Sequence, residues 1–134
     1  MVKRGKAFEL FEWNEIKHEL RFVAPEHLSN EIRQNISIIR SKSKLTESEI
    51  KELLNKIESQ IEYVPLSKFK DFIQKSLKIS PPNDFPYVAL YLFLKSSGHN
   101  SVILSNDKTL LKSLSENNID GMSIHELLRV LKLI

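Results

Sequence analysis

The sequence predicts an α/β domain built around a mainly parallel sheet. Segments with a helical spacing of apolar residues alternate with short apolar runs, which is the pattern of repeated helix and strand units. Prolines stop two of these runs, and two capping boxes mark the first turns of helices. Because 134 residues is close to the usual length of one domain, we expect residues 1–134 to form a single domain.

The N-terminal part of the chain contains the first helix and strand. Apolar side chains at helical spacing predict a helix over residues 6–19. A short extended run over residues 20–24 follows and is stopped by Pro25. Residues 26–40 carry apolar side chains on one stripe and predict a second helix.

The middle of the chain repeats this order. Thr46 and Glu49 have the spacing of a capping box and predict the start of a helix. The apolar run over residues 61–64 predicts a second strand, which a proline stops. Ser67 is the expected N-cap of a helix that ends near residue 77.

The C-terminal part begins with a proline-rich loop over residues 80–84. Residues 85–97 are apolar on nearly all sides, as in a buried helix, and Gly98 is expected to end it. Residues 101–104 predict a short buried strand. The last two helices are expected to begin at polar caps, namely Asp107 and the capping box of Ser123 with Glu126.

The composition excludes several classes of protein. The chain has no cysteine, which excludes disulfide scaffolds, zinc ribbons and thiol catalysis. With three glycines it contains no Walker loop or dinucleotide-binding fingerprint. No apolar run is long enough to cross a bilayer, so we expect a cytoplasmic protein without a membrane partner. The net charge of +3 permits a nucleic-acid partner but does not require one.

Two aspartates stand where chemistry is expected in an α/β fold. Asp107 follows the strand over residues 101–104 and opens a helix, and Asp84 opens the apolar helix. Functional groups collect at the carboxyl ends of parallel strands. Aspartate is also a common N-cap, so position alone leaves a capping role and a catalytic role equally open.

The segments around three acidic residues give a more specific indication of function. Asp84 begins the segment Asp-Phe-Pro-Tyr-Val-Ala-Leu, Asp107 ends Ser-Asn-Asp, and Glu31 lies in Pro-Glu-His-Leu-Ser-Asn-Glu-Ile. In their order along the chain, Glu31, Asp84 and Asp107, the three contexts resemble the PIN-domain family, the nuclease fold that includes VapC-type toxins. Residues 122–128, Met-Ser-Ile-His-Glu-Leu-Leu, are similar to the terminal strand and helix of that family.

The resemblance implies a three-layer sandwich whose sheet has the strand order 3-2-1-4-5. It also implies metal-dependent endonucleolytic cleavage of RNA, by a toxin or an RNA-processing ribonuclease. Glu31, Asp84 and Asp107 would be the catalytic residues and would bind Mg²⁺ or Mn²⁺, since these ions take oxygen ligands and polarise a phosphate. An antitoxin protein is the partner that the family implies.

The same resemblance implies supporting roles for other polar residues. Asn106 and Ser105 would hold the loop around Asp107, and Lys108 would lie near the scissile phosphate. Basic residues within 3–6 and 40–51 are further candidates for contacts with RNA phosphates, although charged side chains at such places are ordinarily just solvated.

The sequence departs from the family at its start. PIN domains open with a strand that ends in an aspartate, whereas this sequence enters its first helix at once and has no aspartate before Asp71. In the family that first strand is central, so without it the strands over residues 20–24 and 101–104 would each have an unpaired edge. We therefore expect these strands to pair directly with each other, or the chain to form a homodimer or higher oligomer, with impaired catalysis.

Two alternatives to the nuclease stay open. The first is a non-catalytic PIN remnant or interaction module that has lost its metal chemistry together with the first aspartate. The second is a helical binding domain for RNA or protein, in which all three acidic residues act as caps.

Overall fold

The computed structural model describes residues 6–34 and 46–133 of the chain. These residues form two compact units, the first ending at Tyr63 and the second beginning at Val64. The first unit contains three helices and two strands: α1 (Lys6–Lys17), β1 (Phe22–Pro25), α2 (His27–Gln34), α3 (Glu47–Ser59) and β2 (Ile61–Val64). Strand β1 pairs with β2.

A buried asparagine holds the first unit together. Asn14 on α1 is only 4% exposed, and its side-chain oxygen accepts a hydrogen bond from the backbone N–H of Leu20 at 2.8 Å. Its amide group donates to the carbonyl oxygen of Leu20 and to Oε1 of Gln60, both at 3.0 Å. Nε2 of Gln60 in turn donates to the carbonyl oxygen of Phe11 at 2.8 Å. This network fixes the turn between α1 and β1 against the end of α3.

The second unit contains five helices, two short 3₁₀ turns and two strands. These are α4 (Leu66–Phe69), a 3₁₀ turn (Lys70–Phe72), α5 (Ile73–Ile79), a second 3₁₀ turn (Pro82–Asp84), α6 (Phe85–Ser96), β3 (Ile103–Leu104), α7 (Lys108–Glu116), β4 (Gly121–Met122) and α8 (Ile124–Val130). Strands β3 and β4 are parallel, with Ile103 opposite Gly121 and Leu104 opposite Met122.

The core of the second unit lies between α6, α7 and β3. It is a cluster of buried side chains: Val88, Tyr91, Ile103, Leu110, Leu114 and Ile119. Each of these three elements presents one apolar face to the cluster, as the helical spacing in α7 and the single buried residue of β3 require. The cluster therefore fixes the first turns of α6 and α7 relative to β3.

Three helices of the second unit end in the same way. A residue with a left-handed backbone follows each of them: Gly98 (φ 85°) after α6, Asn118 (φ 58°) after α7 and Lys132 (φ 61°) after α8. After α7, the N–H of Ile119 donates to the carbonyl oxygen of Leu114 at 2.9 Å. This reversal, a Schellman motif, satisfies carbonyl groups that the helix leaves unpaired and returns Ile119 to the core.

Most of the predicted elements are confirmed, with changes at their ends. The capping boxes of Thr46 with Glu49 and of Ser123 with Glu126 both form. The strand predicted over residues 20–24 begins at Phe22 and includes Pro25, which lies at an element end where a missing N–H is tolerated. The strand predicted over residues 101–104 is reduced to its last two residues. The continuation of α2 towards residue 40 falls outside the described residues.

Two local predictions are wrong. Ser67 is not an N-cap, because the helix begins at Leu66, so that Ser67 lies in its first turn and Pro65 occupies the cap position. The single helix expected up to residue 77 is interrupted by a 3₁₀ turn before α5. The loop expected over residues 80–84 contains a 3₁₀ turn, for which Pro82 supplies a suitable φ at the first position.

The pairing of the strands tests the expectation that the strands over residues 20–24 and 101–104 pair directly with each other. Among residues 6–34 and 46–133, β1 pairs with β2 and β3 pairs with β4, in two separate two-stranded sheets. The direct pairing of β1 with β3 that we expected as one outcome is therefore wrong. Association with a second copy of the chain stays a prediction. The mixed α/β fold with short strands is as the sequence predicts.

Gly121 allows β4 to approach α7 closely. A Cβ atom at this position would lie 2.9 Å from Cδ1 of Leu114 and 3.0 Å from Cδ2 of Leu111. Leu114 is fully buried, so its side chain has little room to move. We expect Gly121→Ala to lower the free energy of unfolding by about 1–2 kcal/mol, as measured by urea denaturation.

The matched control for this substitution is Ser115→Ala on the exposed side of α7, which should change stability by less than about 0.5 kcal/mol. An unchanged unfolding midpoint in Gly121→Ala would show that α7 can move away from β4 at little cost.

Candidate active site

Asp107 lies in a loop held by side chains at the carboxyl end of β3. Oδ1 of Asp107 accepts hydrogen bonds from the backbone N–H groups of Thr109 at 2.9 Å and Leu110 at 3.2 Å, so the residue is the N-cap of α7. Oγ of Ser105 accepts a hydrogen bond from the N–H of Asp107 at 3.1 Å. The side chain of Asp107 is exposed, and in the described part of the chain its Oδ2 atom accepts no hydrogen bond.

Asn106 joins this loop to the last helix. Its Oδ1 atom accepts a hydrogen bond from the backbone N–H of Ile124, the first residue of α8, at 3.2 Å. One loop thus begins α7 through Asp107 and supports the start of α8 through Asn106. Lys108 follows directly and is exposed at the first position of α7.

Asp84 occupies the N-cap position of α6 but does not act as a cap. Its side chain makes no capping hydrogen bond to the first turn of that helix, and it is half-buried. The two aspartates therefore differ: a capping role accounts for one oxygen of Asp107 and does not account for Asp84.

Asp84 and Asp107 each stand about one helical turn before a residue of the same core cluster. Val88 follows Asp84 by about one helical turn, and Leu110 follows Asp107 by about one turn. Both apolar residues belong to the core cluster that also contains Ile103 of β3. Helix α6 also contacts β3, the strand that leads to Asp107 at its carboxyl end.

Glu31 belongs to the first unit. It lies on α2, its side chain is 52% exposed, and its Oε1 atom is 3.3 Å from Nε2 of His27 one turn earlier. Its membership of a common site with the two aspartates stays a prediction.

The phenol of Tyr63, which interacts with residues of α2 and α3, is partly buried. Oγ of Ser29 donates to Oε1 of Glu58 on α3 at 3.4 Å. Burial, and after it the charge of Glu58, raise the pKa of Tyr63 above its usual value of 10, while Ser29 and Arg33 act in the opposite direction. Tyr63 is therefore a neutral phenol at physiological pH, and α2 carries its charges on Glu31 and Arg33.

The acidic residues fit one kind of metal site and not another. Among residues 6–34 and 46–133, no three His, Asp or Glu side chains form a group that could hold a metal ion. Mg²⁺, however, is commonly held by one or two carboxylates, several waters and the phosphates of the substrate. Asp84 and Asp107 match that simpler requirement in residue type.

The fold and these residues define a class of protein: an α/β domain with one aspartate directly after a strand and another at the start of a helix that contacts that strand. A sequence model of the PIN-domain family matches residues 7–126, and the chain belongs to that family. Members of the family are generally nucleases and typically use divalent metal ions. Neither a curated protein nor a solved structure matches the chain. No helix within the described ranges is long and apolar enough to cross a membrane.

Two features of the structure had no clear signal in the sequence. The hydrogen bonds between Asn14 and Gln60 join residues 46 positions apart, and no local pattern marks either of them. The second feature is the pair of lysines Lys75 and Lys95, which line one pocket although they lie on different helices. For the first feature, the sequence offers one indication, since Asn14 is a polar residue within the apolar face of α1.

Proposed function

We propose that the chain is a metal-dependent endoribonuclease of the PIN type, which acts as a toxin or in RNA processing. The observation that supports this most strongly is the match to a nuclease family over residues 7–126, which include Asp84 and Asp107, each about one turn before a residue of one core cluster. In this proposal RNA is the substrate, Mg²⁺ or Mn²⁺ is the cofactor, and an antitoxin protein would be the partner of a toxin.

The proposed chemistry assigns a task to each residue. Asp84 and Oδ2 of Asp107 would hold the divalent ion, which supplies a Lewis acid for the phosphodiester. Ser105 holds the loop of Asp107 through the hydrogen bond to its backbone N–H. Lys108 and the positive end of α7 would attract the anionic RNA backbone. A catalytic role for Glu31, which lies in the first unit, stays a prediction from the sequence.

RNA cleavage by the purified protein tests this proposal. End-labelled single-stranded RNA is incubated with the chain in Mn²⁺ or Mg²⁺, with a chelator, and with the variant Asp84→Asn. We expect cleavage that requires the metal and falls at least about 100-fold in Asp84→Asn, because the amide loses the negative charge that binds the ion. Asp71→Asn, which changes an exposed aspartate outside the site, is the matched control and should cleave normally.

A second candidate is a PIN-type interaction module without catalysis. The absence of a three-residue acidic group among the described residues favours it. Calorimetry with Mn²⁺ separates the two candidates: heat of binding that is lost in Asp84→Asn supports the nuclease. A chain that neither cleaves RNA nor binds the ion supports the interaction module.

A further inference from the structure

A pocket in the second unit is not part of the candidate active site. It has a volume of about 400 Å³ and lies between α5, the last turns of α6 and the segment that follows α7. Its floor is apolar, formed by Phe72, Ile79, Leu92 and Ile119. Ile119 reaches the floor because the left-handed turn at the end of α7 directs it back to the core.

The pocket and the candidate active site lie at opposite ends of two helices. Asp84 stands before the first turn of α6, whereas Lys95 stands in its last turn, about 16 Å further along the axis. Asp107 caps the start of α7, whereas Asn117 follows its end. A ligand in the pocket would therefore not contact the two aspartates.

The charged side chains that line the pocket are both positive. Lys75 and Lys95 line it, both are exposed, and within residues 6–34 and 46–133 neither forms an ion pair. No aspartate or glutamate is among the lining residues, and the other polar ones are Ser96, Asn117 and Asn118. An apolar floor beneath two uncompensated ammonium groups suits a ligand that combines an apolar group with carboxylates.

The form of the floor favours a peptide over a nucleic acid. Binding of single-stranded RNA relies on bases that stack on exposed aromatic faces. Here Tyr91 is only 4% exposed, and the ring of Phe72 packs edge-on against Phe93, with centroids 6.4 Å apart. The aliphatic side chains of Ile79 and Leu92 supply the rest of the apolar surface. Such a floor receives an aliphatic or aromatic side chain of a peptide.

We propose that this pocket binds an acidic peptide segment of a partner protein, in which one large apolar side chain is flanked by aspartates or glutamates. The apolar side chain fills the pocket, and the flanking carboxylates pair with Lys75 and Lys95. The proposal is independent of RNA cleavage, since it uses none of the residues of the candidate active site.

A direct binding experiment tests the proposal. The probe is a fluorescein-labelled peptide, Asp-Glu-Asp-Leu-Glu-Asp-Glu, and its binding to the full chain is followed by fluorescence anisotropy at low salt. We expect saturable binding that weakens when leucine in the peptide is replaced by serine. The charge-reversed pair Lys75→Glu with Lys95→Glu should weaken binding at least about tenfold, because it turns attraction at both ends into repulsion.

The matched control carries the same change of net charge elsewhere. Lys68 and Lys112 are exposed and do not line the pocket, so Lys68→Glu with Lys112→Glu should bind the peptide as the unchanged protein does. Equal weakening by both pairs, or a dissociation constant above about 1 mM for the unchanged protein, would overturn the proposal. A different result would assign the pocket to RNA. In that case the unchanged protein does not bind the peptide, and the charge-reversed Lys75 and Lys95 pair, but not the control pair, loses binding to a single-stranded RNA.

Discussion

Replacing Asp107 by serine is expected to reduce metal-dependent RNA cleavage at least about 100-fold while leaving the protein folded. Serine and aspartate are comparably good N-caps, so Oγ of the new residue can still accept a hydrogen bond from the first turn of α7. What serine cannot supply is a carboxylate for a divalent ion. The substitution thus separates the two roles of the residue.

Asp107→Ala provides the comparison. It removes both the cap and the carboxylate, so we expect it to lose cleavage to the same extent and to lower the free energy of unfolding by about 1 kcal/mol. Asp107→Ser should change that free energy by less than about 0.5 kcal/mol. The measurements are cleavage of labelled RNA and urea denaturation followed by circular dichroism. Full activity in Asp107→Ser would mean that the residue serves only as a cap.

Replacing Asn14 by alanine is expected to be among the most destabilising single changes in the first unit, costing about 2–4 kcal/mol. The variant leaves the N–H and carbonyl groups of Leu20 and the amide oxygen of Gln60, which take part in partly buried hydrogen bonds, without their partner. Buried groups that lose a hydrogen bond incur their full desolvation cost. A small cavity adds to it.

The single tryptophan, Trp13, gives a local readout of this effect, because it precedes Asn14 on α1. Its fluorescence during urea denaturation should show a lower midpoint in Asn14→Ala. Asn30→Ala, on the exposed face of α2, is the matched control and should be nearly neutral. A double-mutant cycle with Gln60→Ala measures the coupling across the 3.0 Å hydrogen bond. A loss below about 1 kcal/mol in Asn14→Ala would show that the network contributes little to stability.

The sequence was most informative where a structure depends on neighbours in the chain. Thr46 with Glu49, and Ser123 with Glu126, form capping boxes because each pair lies within one helical turn. Gly98 ends α6 as predicted, because its φ of 85° is one that glycine adopts freely. Prediction was less accurate at Pro65, because the rules for an N-cap favour Ser67, whereas the observed helix begins after a proline that makes no side-chain cap.

Contacts between distant residues could not be predicted in this way. The partner of Asn14 lies on α3, and the rim of the pocket combines Lys75 on α5 with Lys95 on α6. For the candidate active site, the sequence placed Asp84 and Asp107 at helix starts correctly. The sequence did not show that Asp107 caps its helix whereas Asp84 does not, because this difference depends on the orientation of each side chain.

The left-handed residues that end the helices bear on how far this protein can be stabilised. Four such positions are described, at His18, Gly98, Asn118 and Lys132, and glycine occupies one of them. A residue with a Cβ in this conformation carries strain of roughly 1–2 kcal/mol, somewhat less for asparagine. His18 and Lys132 therefore store free energy that glycine would release, at sites distant in sequence from Ser105–Lys108. Tolerance to heat and the proposed chemistry can be engineered independently in this chain.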